Sequence, residues 1–328
     1  MNPADVLAPP AEILVQTMKA IRIHRLGGPD VLQLDEVFVP APAPGQVLVR
    51  IRAASVNPGD IKVRSGTSPY MKPAMPHTLG RDFSGVVHEV APDVDGLRVG
   101  DEVFGVTPTG QEGAYAGFIA IDASFIAKKP LHSDHAETTA LALTGLTALA
   151  ALEEAARLQP GETVLIHGAA GGVGSFAVQY ARSRDARVIA TARRANHAYV
   201  ARLGADQMID YTSEDFAAVA PPCDVVLDLL GGEVFRRSLG VLRPGGRLAY
   251  VSAATPIPAD ARRDDVRIVQ ARVARGRAQL ERIASLMAQG AISPPAIMQF
   301  PLESAREAHE RMESRSFAGK LVLIPPSP

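Results

Sequence analysis

Residues 163–179, Thr-Val-Leu-Ile-His-Gly-Ala-Ala-Gly-Gly-Val-Gly-Ser-Phe-Ala-Val-Gln, constrain the fold more than any other stretch of this chain. The first four are β-branched or apolar, as in a strand buried on both faces, and residues 175–182 contain no helix breaker. The turn between them holds Gly168, Gly171, Gly172 and Gly174. Glycines there permit positive φ and close approach of a ligand, while the unsatisfied N–H groups of the following helix point at it. Such a helix end attracts phosphate.

The spacing, G-x-x-G-G-x-G, departs from the literal G-x-G-x-x-G fingerprint of dinucleotide sites, so context decides. The fingerprint needs a strand before the turn, a helix after it, and a second strand about twenty residues on that meets the adenosine ribose. That strand is predicted over 186–191, and the whole reads as a nicotinamide dinucleotide site. Its end, Thr191-Ala192-Arg193-Arg194, offers no carboxylate for the 2′-hydroxyl of NAD. Arg193, with Arg194 beside it, suits the 2′-phosphate of NADP. A charge-assisted hydrogen bond worth roughly 1.5–3 kcal/mol would favour NADPH by about ten- to a hundredfold.

At 328 residues the chain is long enough for two domains and a large core. A formal net charge of −1 argues against a nucleic-acid partner. The one arginine cluster (Arg262, Arg263, Arg267, Arg272, Arg275, Arg277, Arg282) has no interleaved aromatic residue and is broken by Asp264, Asp265 and Glu281. It predicts a strand and helix with a solvated face. The single cysteine, Cys223, excludes an intramolecular disulfide and a multi-cysteine zinc site; starting an apolar strand, it predicts a buried inert thiol. No run approaches the ~20 apolar residues that cross a bilayer. Residues 1–17 carry three prolines, Asp5 and Glu12 and no Lys or Arg, unlike a signal peptide. The expectation is a cytosolic protein with a poorly ordered tail over 1–17.

From Met18 the pattern is β. Strands predicted at 19–24, 32–39, 47–53, 85–90, 101–106 and 114–121, separated by Gly, Pro and Asp, suit a compact antiparallel barrel. Within 47–53 the residues alternate, one face buried and one wet. Near Ser133 the period changes: Asp134 and Glu137 have capping-box spacing, and an Ala- and Leu-rich helix runs towards Arg157. Strands at 163–166, 186–191, 207–210, 224–229, 247–252 and 266–269, interleaved with helices, predict a doubly wound parallel sheet. Residues 279–287 and then 300–324 read as helix, helix and terminal strand. The fold class is α/β, with a barrel and a parallel-sheet cofactor unit.

The ordered matches extend over nearly the whole chain from Met18. They are Met18-Lys-Ala-Ile21, Asn57-Pro-Gly-Asp60 with Arg64-Ser-Gly-Thr67, Gly80-Arg-Asp-Phe-Ser-Gly-Val-Val87 and Val99-Gly-Asp-Glu-Val-Phe-Gly105. Thr144-Gly-Leu-Thr-Ala148, Ala169-Ala-Gly-Gly-Val-Gly174, Leu203-Gly-Ala-Asp206 and Gly319-Lys-Leu-Val-Leu323 follow. Together they resemble the medium-chain dehydrogenase/reductase superfamily, and in it the zinc-independent quinone oxidoreductase branch to which zeta-crystallin belongs. The resemblance implies a GroES-like antiparallel β-barrel catalytic domain over 18–130 and a Rossmann NADP-binding domain over 131–271. Residues 272–328 would return to the first, with the active site in the cleft between.

Zinc-dependent members of the family place cysteine where this chain has Asn57, Gly-His-Glu where it has Gly80-Arg81-Asp82, and a third ligand near Ala140. Amide, guanidinium and methyl groups are not zinc ligands, so no metal is expected. His132-Ser-Asp-His135 is read as a loop and helix start. Without a Lewis acid, alcohol oxidation lacks its alkoxide stabiliser. Reduction of a quinone or an α,β-unsaturated carbonyl by NADPH needs only hydrogen-bond donors and a proton.

The resemblance also implies roles. Asn57 would offer its amide to the developing oxyanion, Tyr70 would line the substrate cleft, and Arg81 would polarise the acceptor or pair with Asp82 or Glu102. Thr144 and Thr147 would face the nicotinamide, and Ala170, Gly171, Gly172, Val173 and Gly174 would wrap the pyrophosphate. Tyr211 would border the 2′-phosphate with Arg193. Leu229, Leu230, Gly231, Val251 and Ser252 would end strands at the ligand crevice, and Lys320 would stand near the cofactor. The sixth sheet strand would pair with its twin in a homodimer, an unpaired edge giving the reason. The leading expectation is an NADPH-dependent quinone reductase. An enoyl or alkenal double-bond reductase uses the same parts, and a non-enzymatic alternative is an NADPH-binding sensor without turnover.

Overall fold

A computed structural model describes residues 16–251, 258 and 260–326. The expected tail over 1–17 lies outside the described residues except at its end, where the first strand starts.

The chain opens with β1 (Thr17–Ile23) and β2 (Leu32–Phe38), antiparallel, and then β3 (Gln46–Ser55). In β3 Val47, Val49 and Ile51 are buried and Arg50 and Arg52 half-buried, as the alternation requires; Leu48, on the face of the two arginines, is buried as well. Next come α1 (Pro58–Ser65), β4 (His77–Thr78), β5 (Asp82–Val90), β6 (Glu102–Val106), β7 (Phe118–Asp122) and β8 (Ile126–Lys128). The strand expected at 114–121 is regular only in its second half. Its first half bonds to β1, Ile21 donating to the Tyr115 carbonyl (2.8 Å) and Gly117 to that of Lys19 (3.0 Å).

The helix α2 (His135–Leu149) starts at the predicted capping box, Glu137 N–H on the Asp134 carboxylate (2.7 Å), and continues as a π-helical segment over Ala150–Ala155. Then follow β9 (Thr163–Ile166), α3 (Gly172–Ser183), β10 (Arg187–Thr191), α4 (His197–Arg202), β11 (Gln207–Ile209) and α5 (Phe216–Val219). The unit continues with β12 (Cys223–Asp228), α6 (Gly232–Val241), β13 (Leu242–Val251) and β14 (Arg267–Ala271). All six strands pair parallel in the order β11-β10-β9-β12-β13-β14. The chain direction of the sheet reverses between β9 and β12, so a ligand crevice opens at their carboxyl ends.

The last part is α7 (Arg277–Ala288), β15 (Ile297–Pro301), α8 (Ala305–Ser314) and β16 (Lys320–Ile324). The strand β15 was hidden in the sequence by the prolines around it, which an edge strand tolerates. It pairs parallel with β16, and β16 joins β3 through Val322↔Ser55 and Leu323↔Ala54. The chain thus returns to its first sheet, ordered β15-β16-β3-β5-β6-β8 with β7 on β3.

The arginine cluster forms the expected strand and helix but is a solvated face only in part: Arg262, Arg267 and Arg272 are exposed. Arg263, Arg267, Arg275 and Arg277 donate to backbone carbonyls of Leu239 and Leu242, Ala155, Thr107, and Ala123 and Ile126 respectively. These arginines tether segments, because a guanidinium carries several donors in a rigid fork. Cys223 is buried, and burial pushes its thiol up to about 12. No helix among the described residues is long and apolar enough to cross a membrane.

Candidate active site

The glycine turn caps β9 and leads into α3, whose N-cap is Gly171. At Gly174 a Cβ would stand 2.3 Å from the Gly168 carbonyl oxygen and 2.6 Å from Ala169 Cα, so only glycine fits. A Cβ at Gly172 would lie 2.8 Å from Thr144 Cγ2 and 3.2 Å from Lys320 Cδ, which places both side chains directly against the turn. Gly319 donates to the Ala170 carbonyl (2.7 Å), fixing the start of β16 to the same turn. The cradle is bare backbone at a helix start, which fits a pyrophosphate.

Around it the other strand ends are locked. After β12 the Asp228 carboxylate accepts from Leu230 N–H (2.8 Å) and Gly231 N–H (3.0 Å); burial raises its pKa despite these bonds. Leu229 and Val251 are half-buried, and Ser252 lies outside the described residues. Behind the turn, His167 is buried, with Nε2 2.9 Å from Ser238 Oγ and Nδ1 3.1 Å from Thr191 Oγ1. Ser238 donates its own hydrogen to the Val234 carbonyl, so the imidazole must donate from Nε2 and accept at Nδ1. Burial holds His167 neutral, its pKa down to about 3. The sequence offered no signal for this residue beyond its place next to the turn.

Arg193 and Tyr211, eighteen residues apart, meet at the rim where β10 and β11 end: Arg193 Nε donates to the Tyr211 hydroxyl (2.9 Å). Both are exposed, as is Arg194. Thr144 and Thr147 are buried and donate to the carbonyls of Ala140 and Leu143, both at 2.7 Å, one helical turn back. Only Thr144 is shown against the turn.

The catalytic side centres on Asn57, which is 4% exposed at the N-cap of α1. Its Nδ2 donates to Asp82 Oδ1 (2.7 Å) and to the Ser55 carbonyl (3.2 Å), and its Oδ1 accepts from Lys320 Nζ (2.5 Å). A lysine only donates and an ionised carboxylate only accepts, so the amide orientation is fixed. Both amide hydrogens are therefore engaged. The buried Lys320 also donates to the Val56 carbonyl (2.7 Å), and burial lowers its pKa against the pull of Asp82 and Asp60. Its stem lies under the cofactor turn and its ammonium lies at Asn57.

Arg81 pairs structurally, but with other partners than the sequence suggested. Its Nε binds Glu112 (2.9 Å) and lies 3.4 Å from Asp60, while Glu102 pairs with Lys129 and His135. Burial opposes the charge on Arg81, yet Asp60 and Glu112 hold its pKa above the ordinary value. Asp60 is fully buried; burial, with Glu112 and Asp82 nearby, raises its pKa to about 7 against the effect of Arg81. Its carboxylate accepts from Asn57 N–H and Tyr115 Oη, both at 2.8 Å. Tyr115 in turn meets His309 Nε2 (3.3 Å), whose Nδ1 accepts from Arg64 (3.0 Å). Tyr70 lies in the loop between α1 and β4 and is 49% exposed.

Where the resemblance would put zinc ligands stand Asn57, Arg81 and the buried Ala140. No group of three His, Cys, Asp or Glu residues among the described residues could hold a metal. His135 begins α2 and meets Ser84 Oγ (2.8 Å), a helix start as expected.

Two family models match: an alcohol dehydrogenase GroES-like domain over 43–131 and a zinc-binding dehydrogenase over 203–323. The chain is 32% identical to a quinone oxidoreductase of Rattus norvegicus, covering 94% of this chain and 98% of that one. It is 33% identical to a 2-haloacrylate reductase of Burkholderia sp, covering 92% and 98%. Among solved structures it is similar to the quinone oxidoreductase of Coxiella burnetii, with TM-score 0.86, 34% identity and coverage of 94% and 99%. The Escherichia coli quinone oxidoreductase complexed with NADPH superposes with TM-score 0.85 at 29% identity, covering 94% and 100%. The CurK enoyl reductase does so with TM-score 0.85 at 26%, covering 94% and 99%.

Proposed function

The chain belongs to the quinone oxidoreductase branch of the medium-chain dehydrogenase/reductase superfamily, and from that premise we propose that it is an NADPH-dependent, zinc-independent reductase of quinones. The Arg193–Tyr211 pair carries the cofactor choice. It presents a guanidinium and a phenol at an open strand end, with no ion-pair partner for Arg193 among the described residues. A phosphate ester accepts from both, and Arg is the side chain suited to it. Bound there, NADPH supplies the hydride.

The remaining steps belong to the chain. The backbone of 170–174 holds the pyrophosphate, Leu229, Leu230, Gly231 and Val251 border the crevice, and Thr144 packs beneath the nicotinamide side. Lys320 and Asp82 fix Asn57 as the floor on which the acceptor lies, Tyr70 covers it from the loop, and water returns the proton. The donor set supports zinc independence: a divalent cation would face the Arg81 guanidinium and an amide already committed to Asp82 and Lys320. We further assign the domains as 18–130, 131–271 and 272–328, a homodimer paired along the edge strand β14, and a cytosolic setting.

The deciding experiment is NADPH consumption by purified, chelator-treated protein against quinones and α,β-unsaturated ketones, with NADH in parallel. Turnover of quinones with NADPH preferred is the expected result. Turnover of enones alone would move the protein to the double-bond reductases, the reading favoured by its similarity to a 2-haloacrylate reductase and to an enoyl reductase. Tight NADPH binding without any turnover would make it a sensor.

A further inference from the structure

Hydride arriving at a quinone or enone drives an electron pair onto oxygen, and that oxygen needs a preorganised donor. Asn57 has no hydrogen left for it, since both go to Asp82 and Ser55. Arg275 does. It lies between β14 and α7, downstream of the carboxyl end of the parallel sheet, and reaches across to the barrel: its Nη1 donates to the Thr107 carbonyl (2.8 Å). Thr107 N–H donates to the Arg81 carbonyl (2.7 Å), so one peptide segment joins the two arginines. Arg277, two residues on, is fully directed to the barrel by Nε and Nη2. In Arg275, by contrast, the Nε is buried and has no hydrogen-bond partner.

None of the neighbouring carboxylates bonds to it. Asp82 accepts from Ser55, Asn57 and Leu143, and Glu112 from Arg81, with His77 at 3.0 Å; Asp60 accepts from Asn57 and Tyr115 through Oδ2 alone, while its Oδ1, buried and also without a hydrogen-bond partner, faces Arg81 Nε at 3.4 Å. A buried N–H without an acceptor is destabilising unless a ligand completes it. We propose that Arg275 is a catalytic residue that receives the acceptor oxygen: its Nε–H and its charge stabilise the oxygen as it becomes negative. The proposal rests on the reductase reading above. In the balanced step the acceptor takes one hydride from NADPH, its displaced π pair settles on oxygen as phenolate or enolate, one proton from water completes the product, and NADP+ remains.

Two variants test this, Arg275→Gln and Arg275→Lys, each first checked for an unchanged NADPH dissociation constant. One readout needs no turnover: 4-nitrophenol is titrated spectrophotometrically in the presence of NADP+-saturated protein. Wild type should bind the phenolate and lower the bound dye's pKa by roughly one unit, a tenfold preference. The shift should vanish in Arg275→Gln and return in part in Arg275→Lys. In steady state, kcat for neutral quinones and enones should fall by roughly 10²–10³ in Arg275→Gln. An unshifted dye in wild type, an unchanged kcat, an effect confined to KM for carboxylate-bearing acceptors, or a loss explained by weaker NADPH binding would overturn it. If wild type reduces no acceptor, the reductase reading fails, and the dye titration still decides the anion site.

Discussion

Replacing His167 by Gln should change how stability depends on pH more than it changes stability at pH 7. In the native protein His167 and His309 are both buried and neutral, with pKa values near 3; burial is the main cause for each, and Arg64 adds to it for His309. Unfolded, each titrates near 6.5. Their folded pKa values are depressed, so the unfolded chain binds more protons between about pH 3 and 6.5, and stability is lost as pH falls through that range. Asp60 acts in the opposite sense: its pKa is about 7 when folded, against roughly 3.9 unfolded, so between these values the native state holds the extra proton and stability falls as pH rises. From these three groups together, two protons against one contribute a slope of about +1.4 kcal/mol per pH unit between roughly pH 4.5 and 6. His135, also lowered chiefly by burial, steepens every variant alike. Gln can donate to Ser238 and accept from Thr191, so His167→Gln keeps both bonds and should flatten the curve by about 1.4 kcal/mol per unit. Asp60→Asn should steepen it by the same amount. Urea unfolding at pH 6, 5.5 and 4.5 measures all three, and a His167→Gln curve parallel to wild type would refute a neutral buried imidazole.

Three further substitutions address the site. Gly174→Ala puts a methyl 2.3 Å from a backbone carbonyl, so the turn must open; NADPH affinity, read by fluorescence titration, should drop at least about tenfold while unfolding remains cooperative. Arg193→Ala should reduce the NADPH over NADH preference by about ten- to a hundredfold in kcat/KM, and an unchanged ratio would remove Arg193 from the 2′-phosphate. Lys320→Met leaves the Val56 carbonyl and Asn57 Oδ1 buried without their donor, a loss of about 2–5 kcal/mol in urea unfolding, with KM for the acceptor rising as Asn57 loosens.

What was legible in the sequence was local. The glycine turn, the six parallel strands and the Asp134–Glu137 capping box each arise from residues a few positions apart, and each is found within a few residues of its expected place. Arg193 and Tyr211 were legible because each ends a strand, and parallel neighbours bring such ends together. The polar network was not. Asp60, Arg81, Glu112, Tyr115 and His309 come from α1, two strand ends, a loop and α8, and no spacing links Tyr115 to His309, 194 residues away. Arg81 was therefore assigned carboxylates near it in sequence or in the next strand. The arginine tethers were missed for the same reason: their acceptors are backbone carbonyls, which carry no sequence signature at all.

The contact that matters most to the site, Lys320 with Asn57, spans 263 residues, and it changes how the cleft works. In a two-unit oxidoreductase the distance between the hydride source and the acceptor depends on how the units are held. Here one strand holds both sides. Gly319 bonds the cofactor turn at Ala170, the Lys320 stem lies against Gly172, and the Lys320 ammonium binds Val56 and Asn57 at the start of α1. Val322 and Leu323 then lock β16 into the barrel sheet through β3. The spacing between turn and floor is thus set by successive residues of one strand, and a near-attack geometry can be held without closure of a lid. Loosening β16 should therefore lower kcat before it weakens NADPH binding, since the turn keeps its own glycine geometry while the floor moves.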